Sequence, residues 1–218
     1  GGEVDANLTV APGATLYIEG SSNKVVGGSR HIAVAGAVLW SGSGEIQSES
    51  DYMGPDGYLD ILPGGLFDVQ SDADFGIESA TYSKYLHINN QGTFRKSGAG
   101  GETLLYRVAF SNDGLVEVTS GTLNFDYQLV NNGQVDVASG QKVVCGSTVR
   151  GSANSVFTGS GTVELDGAYV GGYLRGDHFE HKLGTRLTGD FELQGKMTWA
   201  GGEVDANLTV APGATLYI

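Results

Sequence analysis

The sequence predicts an all-β fold, a parallel β-helix or β-solenoid, and three observations lead to this prediction. Glycine is very frequent, with 36 of 218 residues, while proline is rare, with 4. A short motif, Gly-x-Φ-x-Φ with Φ apolar, recurs along the chain. The first eighteen residues, GGEVDANLTVAPGATLYI, return unchanged as residues 201–218. Strand-sized repeats inside a larger repeat are typical of a solenoid.

The pentapeptide motif has the alternation of a strand that buries one face. It occurs, for example, as GYLDI at 57–61, GLVEV at 114–118 and GTVEL at 161–165. The leading glycine fits a bend, or a place where two stretches of backbone pack closely. The predicted core consists of the Φ positions: Leu59, Ile61, Phe67, Val69, Val116, Val118, Leu123, Phe125, Val135, Val137, Val163, Leu165, Phe191 and Leu193.

The spacing of the motifs predicts the size of one coil. Gly114 and Gly133 head equivalent strands 19 residues apart. A coil of about twenty residues holds two or three short strands, so about nine coils fit one 200-residue period. At roughly 4.8 Å per coil, one unit would be on the order of 45 Å long. Segments 71–90 and 171–188 break the glycine rhythm and are predicted to be coils with longer loops, or small excursions from the shaft.

An antiparallel β-sandwich is the alternative fold. Asn-Gly and Asp-Gly dipeptides, as at Asn132-Gly133 and Asp113-Gly114, are typical of two-residue hairpins. The same dipeptides recur at the coil spacing, however, and each glycine heads a strand. They therefore suit the corners of a solenoid at least as well.

The exact duplication predicts the domain organisation. Residues 1–200 form one solenoid unit, and residues 201–218 begin the next identical unit of a tandem array, unless the ends were duplicated by engineering. No Pro/Ser/Thr-rich linker separates the units, so the shaft should run through Ala200–Gly201. We predict that 201–218 covers an open strand edge, and that separate copies associate head to tail.

Charge and cysteine content exclude some classes of function. The formal net charge of −13 excludes the basic surface that nucleic acids require. The single Cys145 cannot form a disulfide within the unit, and its apolar flanks predict a buried thiol. No run approaches the ~18 apolar residues of a membrane span, so this segment is predicted to contain none.

Several segments resemble those of a known class of proteins. They include GAVLWSGSGEIQ (36–47), NDGLVEVTSGTLNF (112–125), NNGQVDVASGQKVV (131–144) and SGTVELDGAYVGG (160–172). These segments resemble the Gly-rich repeats of very large bacterial surface and secreted proteins, of the adhesin and autotransporter-passenger kind. The resemblance implies a right-handed parallel β-helix exported to the cell surface or medium. It implies a structural role in adhesion, matrix or filaments, with neighbouring copies and surface glycans as partners.

An acidic segment, DYMGPDGYLD, is a candidate calcium site. Asp51, Asp56 and Asp60 supply hard oxygen ligands on a turn that leads into a strand. Their spacing matches neither the EF-hand loop nor the nonapeptide Gly-Asp repeat. The competing interpretation is a solvated acidic corner. Apart from this candidate calcium ion, the sequence predicts no cofactor.

A second segment, GDHFEH, is a candidate transition-metal site through His178, Glu180 and His181. Residues three apart lie on opposite faces of a strand, so both histidines reach one metal only if the segment is a loop. A polar loop with solvated histidines is the competing interpretation. His31 and His87 stand beside apolar residues and are predicted to be structural.

A carbohydrate-binding or carbohydrate-active β-helix, resembling a polysaccharide lyase or hydrolase, is the alternative function. Such enzymes need acids clustered on neighbouring coils. The outward positions of several motifs are acidic and could form an acidic ladder on one face: Asp60, Asp68, Glu117, Asp136 and Glu164. Outward positions must be polar in any case, so the sequence favours a protein that is not an enzyme and assigns no catalytic residue.

Overall fold

The computed structural model describes residues 2–49, 56–77 and 85–218. All regular elements in this part of the chain are β-strands, and they pair in parallel with the strands of neighbouring coils. Each circuit of the chain contributes three strands, which stack on the equivalent strands of the next circuit to form ladders 1, 2 and 3. The parallel β-solenoid is therefore confirmed, and the antiparallel sandwich is wrong.

The strands β1 to β22 occupy the three ladders in strict rotation. Ladder 1 contains β1 (Gly2–Val4), β4 (Lys24–Val26), β7 (Ile46–Ser48), β10 (Phe75–Ile77), β13 (Glu102–Leu105), β16 (Thr122–Phe125), β19 (Lys142–Cys145) and β22 (Thr162–Leu165). Ladder 2 contains β2 (Leu8–Val10), β5 (His31–Val34), β8 (Gly57–Ile61), β11 (Leu86–Asn90), β14 (Val108–Asn112), β17 (Gln128–Asn131) and β20 (Thr148–Gly151). Ladder 3 contains β3 (Thr15–Ile18), β6 (Ala37–Trp40), β9 (Leu66–Val69), β12 (Thr93–Lys96), β15 (Leu115–Val118), β18 (Gln134–Val137) and β21 (Val156–Gly159).

The last coils use longer strands that bend around the corners. These are β23 (Tyr169–His181), β24 (Arg186–Trp199), β25 (Glu203–Val210) and β26 (Thr215–Tyr217). Strand β23 begins on ladder 2, where Tyr169 pairs with Thr148, and ends on ladder 1, where Phe179 pairs with Val163. Segment 171–188 thus belongs to the coils, as one interpretation predicted, but most of it is strand rather than a longer loop or an excursion. Bulges let the chain turn without leaving the sheet.

The core is the inside of the solenoid and is filled by alternate residues of every strand. All fourteen predicted core residues are buried, and none is more than 2% exposed. Aromatic rings stack along the interior, as in Phe67 over Phe94, whose ring planes lie 7° apart at a centroid distance of 5.8 Å. Cys145 is also fully buried, and burial raises the pKa of its thiol to about 12.

A glycine ladder explains why many strands begin with glycine. At the corner between ladders 2 and 3, a Cβ added to Gly92, Gly114 or Gly133 would lie 2.2–2.4 Å from a carbonyl oxygen of the coil below. The backbone at these three glycines does not have positive φ. Close packing of successive coils, rather than a left-handed conformation, therefore requires glycine here.

An asparagine ladder closes the same corner from inside. Asn90 Nδ2 donates to Asn112 Oδ1, Asn112 Nδ2 donates to Asn131 Oδ1, and each distance is 2.7 Å. The series ends where Asn131 Nδ2 donates to Ser155 Oγ at 2.7 Å. All four side chains are fully buried. Their amides satisfy polar groups that the tight corner would otherwise leave unpaired.

Candidate functional site

Three aromatic rings are stacked on the outer face of ladder 2. His31, Tyr58 and His87 are Cα partners on β5, β8 and β11, and all three occupy outward positions. The His31 and Tyr58 rings lie 4.5 Å apart at 5°, and the Tyr58 and His87 rings lie 4.9 Å apart at 16°. In-register parallel pairing produces this stack, because residues at one outward position lie directly above one another.

Each histidine in the stack is paired with a carboxylate. His31 Nδ1 lies 2.6 Å from Asp60 Oδ2, and His87 Nε2 lies 2.9 Å from Asp56 Oδ2. The Asn89 amide donates to the other Asp60 oxygen at 2.7 Å. The exposed fractions of the His and Asp side chains are between 22% and 45%. The pairs are thus fixed by the fold and still accessible to a ligand.

A second aromatic pair lies beside the stack at the corner between ladders 1 and 2. The rings of Tyr85 and Tyr127 lie 4.5 Å apart, and the Arg107 guanidinium is 5.3 Å from the centre of the Tyr85 ring. The Tyr85 backbone N–H donates to Asp56 Oδ1 at 3.1 Å, which joins this group to the histidine stack. We call the combined surface the polar–aromatic strip; it consists of His31, Asp56, Tyr58, Asp60, Tyr85, His87, Asn89, Arg107 and Tyr127.

The two tyrosines of the strip ionise differently. A hydrogen bond with Tyr127, assisted by Arg107, lowers the pKa of Tyr85, whereas the same hydrogen bond raises the pKa of Tyr127. Tyr85 is therefore the more readily ionised of the two phenols.

The strip offers many hydrogen-bonding groups and little open ring surface. The faces of the inner rings cover one another, so the edges of the rings and the carboxylate oxygens are what a ligand would meet. Carboxylates, imidazoles, phenols and a guanidinium in one patch are complementary to ligands with several hydroxyl groups. The His–Asp pairs also have the composition of a general acid–base system.

The predicted calcium ligands are only partly described. Asp51 lies outside the described residues. Asp56 and Asp60 both belong to the strip, where each carboxylate already contacts a histidine. Among the described residues, no group of three His, Cys, Asp or Glu side chains is placed to hold a metal ion.

The predicted transition-metal ligands are not brought together. His178 is exposed and has φ 67°, whereas His181 points inward and is fully buried. Glu180 faces outward and pairs with Lys182 at 2.7 Å. Burial lowers the pKa of His181, and the nearby Thr185 backbone only partly offsets this effect. The segment is a strand, and the period of two separates residues three apart.

The predicted acidic ladder does not occupy one face. Asp60 lies on ladder 2, Glu164 lies on ladder 1 beside Lys142, and only Asp68, Glu117 and Asp136 share ladder 3. The prediction of a single acidic face is therefore wrong. The motif fixes that these residues point outward, but it does not specify which of the three ladders carries each strand.

Arg95 interrupts the acidic row on ladder 3 and binds Asp68 through two hydrogen bonds. Arg95 Nε lies 3.1 Å from Asp68 Oδ1, and Arg95 Nη2 lies 2.8 Å from Oδ2. Ser97 and Gln70 donate to the same carboxylate at 2.6 and 3.0 Å. Burial alone would raise the pKa of Asp68, but the hydrogen bonds from Arg95, Ser97 and Gln70 outweigh burial and lower it.

This carboxylate should make the stability of the protein depend on acidic pH. Because the pKa of Asp68 is lower in the folded state, its contribution is complete above the unfolded value of about 4 and is lost as pH falls through the folded pKa. We expect Asp68→Asn to lower the free energy of unfolding at pH 7 by about 2 kcal/mol, and by less below pH 4. Urea unfolding at pH 7 and pH 3 measures both values; an equal loss at both pH values would contradict this account.

Sequence reasoning missed the histidine stack and the asparagine ladder. His31 and His87 were predicted to be structural, yet both are partly exposed and paired with Asp side chains. Their separation from Tyr58, 27 and 29 residues, is longer than the average coil, so the motif spacing does not align them. The asparagines had a usable signal, since Asn90, Asn112 and Asn131 each stand two residues before a corner glycine.

The N-terminal end of the solenoid is a second candidate site. The first coil leaves an apolar cavity of about 440 Å³ that opens at this end of the shaft. It is lined by core-facing side chains of the first coils, among them Val4, Leu8, Leu16, Val26 and Val38. The lower edges of β1, β2 and β3 form no strand pair with any described residue, so their backbone groups are available to another strand.

Comparison of the chain with protein-family models, curated proteins and solved structures finds no match in any of the three. The described residues contain no helix long and apolar enough to cross a membrane.

Proposed function

We propose that the chain is a structural repeat unit of a very large extracellular bacterial surface protein or filament. In this role it acts as a stiff shaft for adhesion, matrix formation or cell–cell contact, with units stacked end to end. Residues 1–200 are one unit, and residues 201–218 begin the next. The role requires no catalysis and no cofactor.

One observation carries this proposal. Residues 203–217 add a further coil onto β24 in two parallel stretches, Glu203–Val210 on residues 186–193 and Thr215–Tyr217 on residues 196–198, with a turn between them. The identical residues 2–18 form the first coil at the other end. The same sequence can therefore both begin a unit and continue the one before it, which is what an unbroken array requires.

The array can be tested at the gene and on the cell. Sequencing the coding region beyond both ends should reveal further copies of the 200-residue unit in one reading frame. An antibody raised against the chain should label intact cells, and the labelled fibres should lengthen by about 45 Å per unit, given a coil spacing of roughly 4.8 Å. A single copy, or labelling only after the cells are opened, would refute the proposal.

Carbohydrate binding by the polar–aromatic strip is the second candidate, and the paired carboxylates and stacked rings support it. The ligand would be a neutral glycan, because a protein of net charge −13 repels anionic polysaccharides. The hydrolase version of this alternative would in addition release product from a neutral glycan. The polysaccharide lyase version would need an anionic glycan, because lyases eliminate across a uronic acid, and the negative charge of the protein disfavours such a ligand.

Replacement of Tyr58 tests the strip directly. We expect Tyr58→Ala to abolish retention on a glycan array, because it removes the central ring between two histidines. Tyr169→Ala is the matched control: Tyr169 is 56% exposed on the same ladder but far along the shaft. A reducing-end assay with the retained glycans distinguishes binding from cleavage. Equal retention of both variants would exclude the strip as the binding surface.

A further inference from the structure

The two copies of the eighteen-residue sequence lie on different ladders. In the first copy, residues 2–4 are on ladder 1, residues 8–10 on ladder 2 and residues 15–18 on ladder 3. In the second copy, residues 203–205 pair with the part of β24 that continues ladder 2. The second copy is thus displaced by one ladder relative to the first.

The middle of the second copy crosses a corner, and its last strand shows the displacement again. Residues 208–210 pair with 191–193, which lie over residues 172–174. Gly172 is still the Cα partner of Gly151 on ladder 2, whereas a Cβ on Gly176 would meet Phe157 O of β21, so β23 crosses here from ladder 2 to ladder 3. Residues 215–217 pair with 196–198, which continue ladder 1 through Phe179 and Val163.

The displacement arises because one unit does not contain a whole number of turns. From β1 to the start of β25 the chain completes nine circuits and adds one further strand. A period of 200 residues can repeat perfectly in sequence while its strand count is not divisible by three. Each new unit must then begin one ladder further around the shaft.

We infer that, in an array of these units, the first coil of each unit docks on the Arg186–Trp199 edge of the preceding unit with an advance of one ladder. This inference depends on the proposed function. Equivalent surfaces, including the polar–aromatic strip, then face the same side only in every third unit. A long shaft would display each surface around its whole circumference.

The apolar groups of the N-terminal end fit this partner. In the second copy, Val204 lies over Leu187, Leu208 over Phe191 and Leu216 over Met197. The same positions in the first copy, Val4, Leu8 and Leu16, line the open 440 Å³ cavity. The preceding unit would therefore place Leu187, Phe191 and Met197 beneath these side chains and close the cavity.

Charge complementarity supports the same pairing. Arg186 forms ion pairs with Glu203, at 3.6 Å, and with Asp205. Glu3 and Asp5 are the corresponding acids of the first copy, and both are exposed in the first coil, where Asp5 pairs with Arg30 of the second coil at 3.0 Å. Arg186 of a preceding unit would meet these two acids in an otherwise strongly acidic protein.

Cysteine cross-linking in the full chain tests the ladder displacement. Thr209 and Glu192 are Cα partners, so the pair Thr209→Cys and Glu192→Cys should oxidise to a disulfide with loss of both free thiols. If the second copy lay on the same ladders as the first, Thr209 would instead face Thr188. The pair Thr209→Cys and Thr188→Cys should therefore stay reduced. Buried Cys145 gives no background.

A chain ending at residue 200 tests the docking between copies. Its Arg186–Trp199 edge is uncovered, so residues 1–18 of another copy should occupy it and produce head-to-tail polymers in sedimentation velocity, whereas the 218-residue chain caps its own edge. A synthetic peptide with the sequence of 201–218 should block this association, and a scrambled peptide should not. Circular dichroism of the peptide-bound chain establishes that the shortened chain is folded.

The outcomes separate the two proposals. Cross-linking of Thr209 with Thr188 would overturn the displacement and leave the array intact. A folded shortened chain that remains monomeric with or without the peptide would overturn docking through these edges. The correct cross-link together with peptide-blocked polymers would support both. A gene that holds only one unit would refute the proposed function without affecting the cross-link.

Discussion

Gly133→Ala is expected to lower the free energy of unfolding by about 3 kcal/mol, at the upper end of the range for overpacked sites. The new Cβ would lie 2.2 Å from Gly114 O and 3.0 Å from the Asp113 carbonyl carbon. Both contacts are with backbone, which cannot rotate away as a flexible side chain does. The coils would have to separate at this corner, and the parallel hydrogen bonds beside it would lengthen.

Gly100→Ala is the matched control for this experiment. A Cβ at Gly100 would meet nothing within 4 Å, and its φ is not positive. We expect a change within about 0.5 kcal/mol, as for ordinary surface substitutions. Urea unfolding followed by circular dichroism measures both variants. Equal losses would mean that close packing of the coils does not explain the glycine that leads these strands.

Asn112→Leu is expected to lower the free energy of unfolding by about 2–4 kcal/mol, because it leaves buried polar groups unpaired. Asn112 lies in the middle of the asparagine ladder and donates to Asn131 Oδ1 at 2.7 Å and to Gln134 O at 3.0 Å. Asn90 would lose its acceptor on Asn112 but keep Leu115 O at 2.8 Å. Leucine has the same branch at Cγ and the same number of side-chain heavy atoms, so it fills the position while removing the hydrogen bonds.

The position itself accepts an apolar side chain. Ile61 is the Cα partner of Asn90 in the coil below, and it is fully buried there. Asn132→Ala is the matched control, since the side chain of Asn132 donates an exposed hydrogen bond to Asp113 at 2.9 Å and its backbone bond is kept in the variant. We expect it to change stability by less than about 0.5 kcal/mol. If Asn112→Leu were as mild as the control, the ladder would not stabilise the corner.

The fold class and the core followed from local pattern. A residue such as Val135 or Leu165 is buried because the strand period of two places its side chain inside the solenoid. The five-residue motif alone is enough to predict this. The leading glycines were also evident from the sequence, which left two explanations open: a bend in the chain or close packing of two stretches of backbone. The structure favours close backbone packing at Gly92, Gly114 and Gly133.

The surface was much less predictable. The histidine stack joins residues 27 to 29 positions apart, and its alignment depends on the lengths of two whole coils. His178 and His181 are close in sequence but not in space. Their spacing of three residues suggested a metal site, yet they lie on one bent strand with His178 exposed and His181 buried. Side chains meet on a solenoid surface when their coils have matching lengths, and that depends on every connection between them.

The sequence by itself determined that this protein is a stack of short parallel strands, which residues point inward, and that its eighteen terminal residues are interchangeable. Only the tertiary structure decided which ladder each strand occupies, and hence that the second copy starts one ladder further on. The physical reason is that burial depends on the two-residue period of side chains within one strand. The ladder on which a strand lies depends instead on how many strands precede it in a solenoid with three strands per circuit.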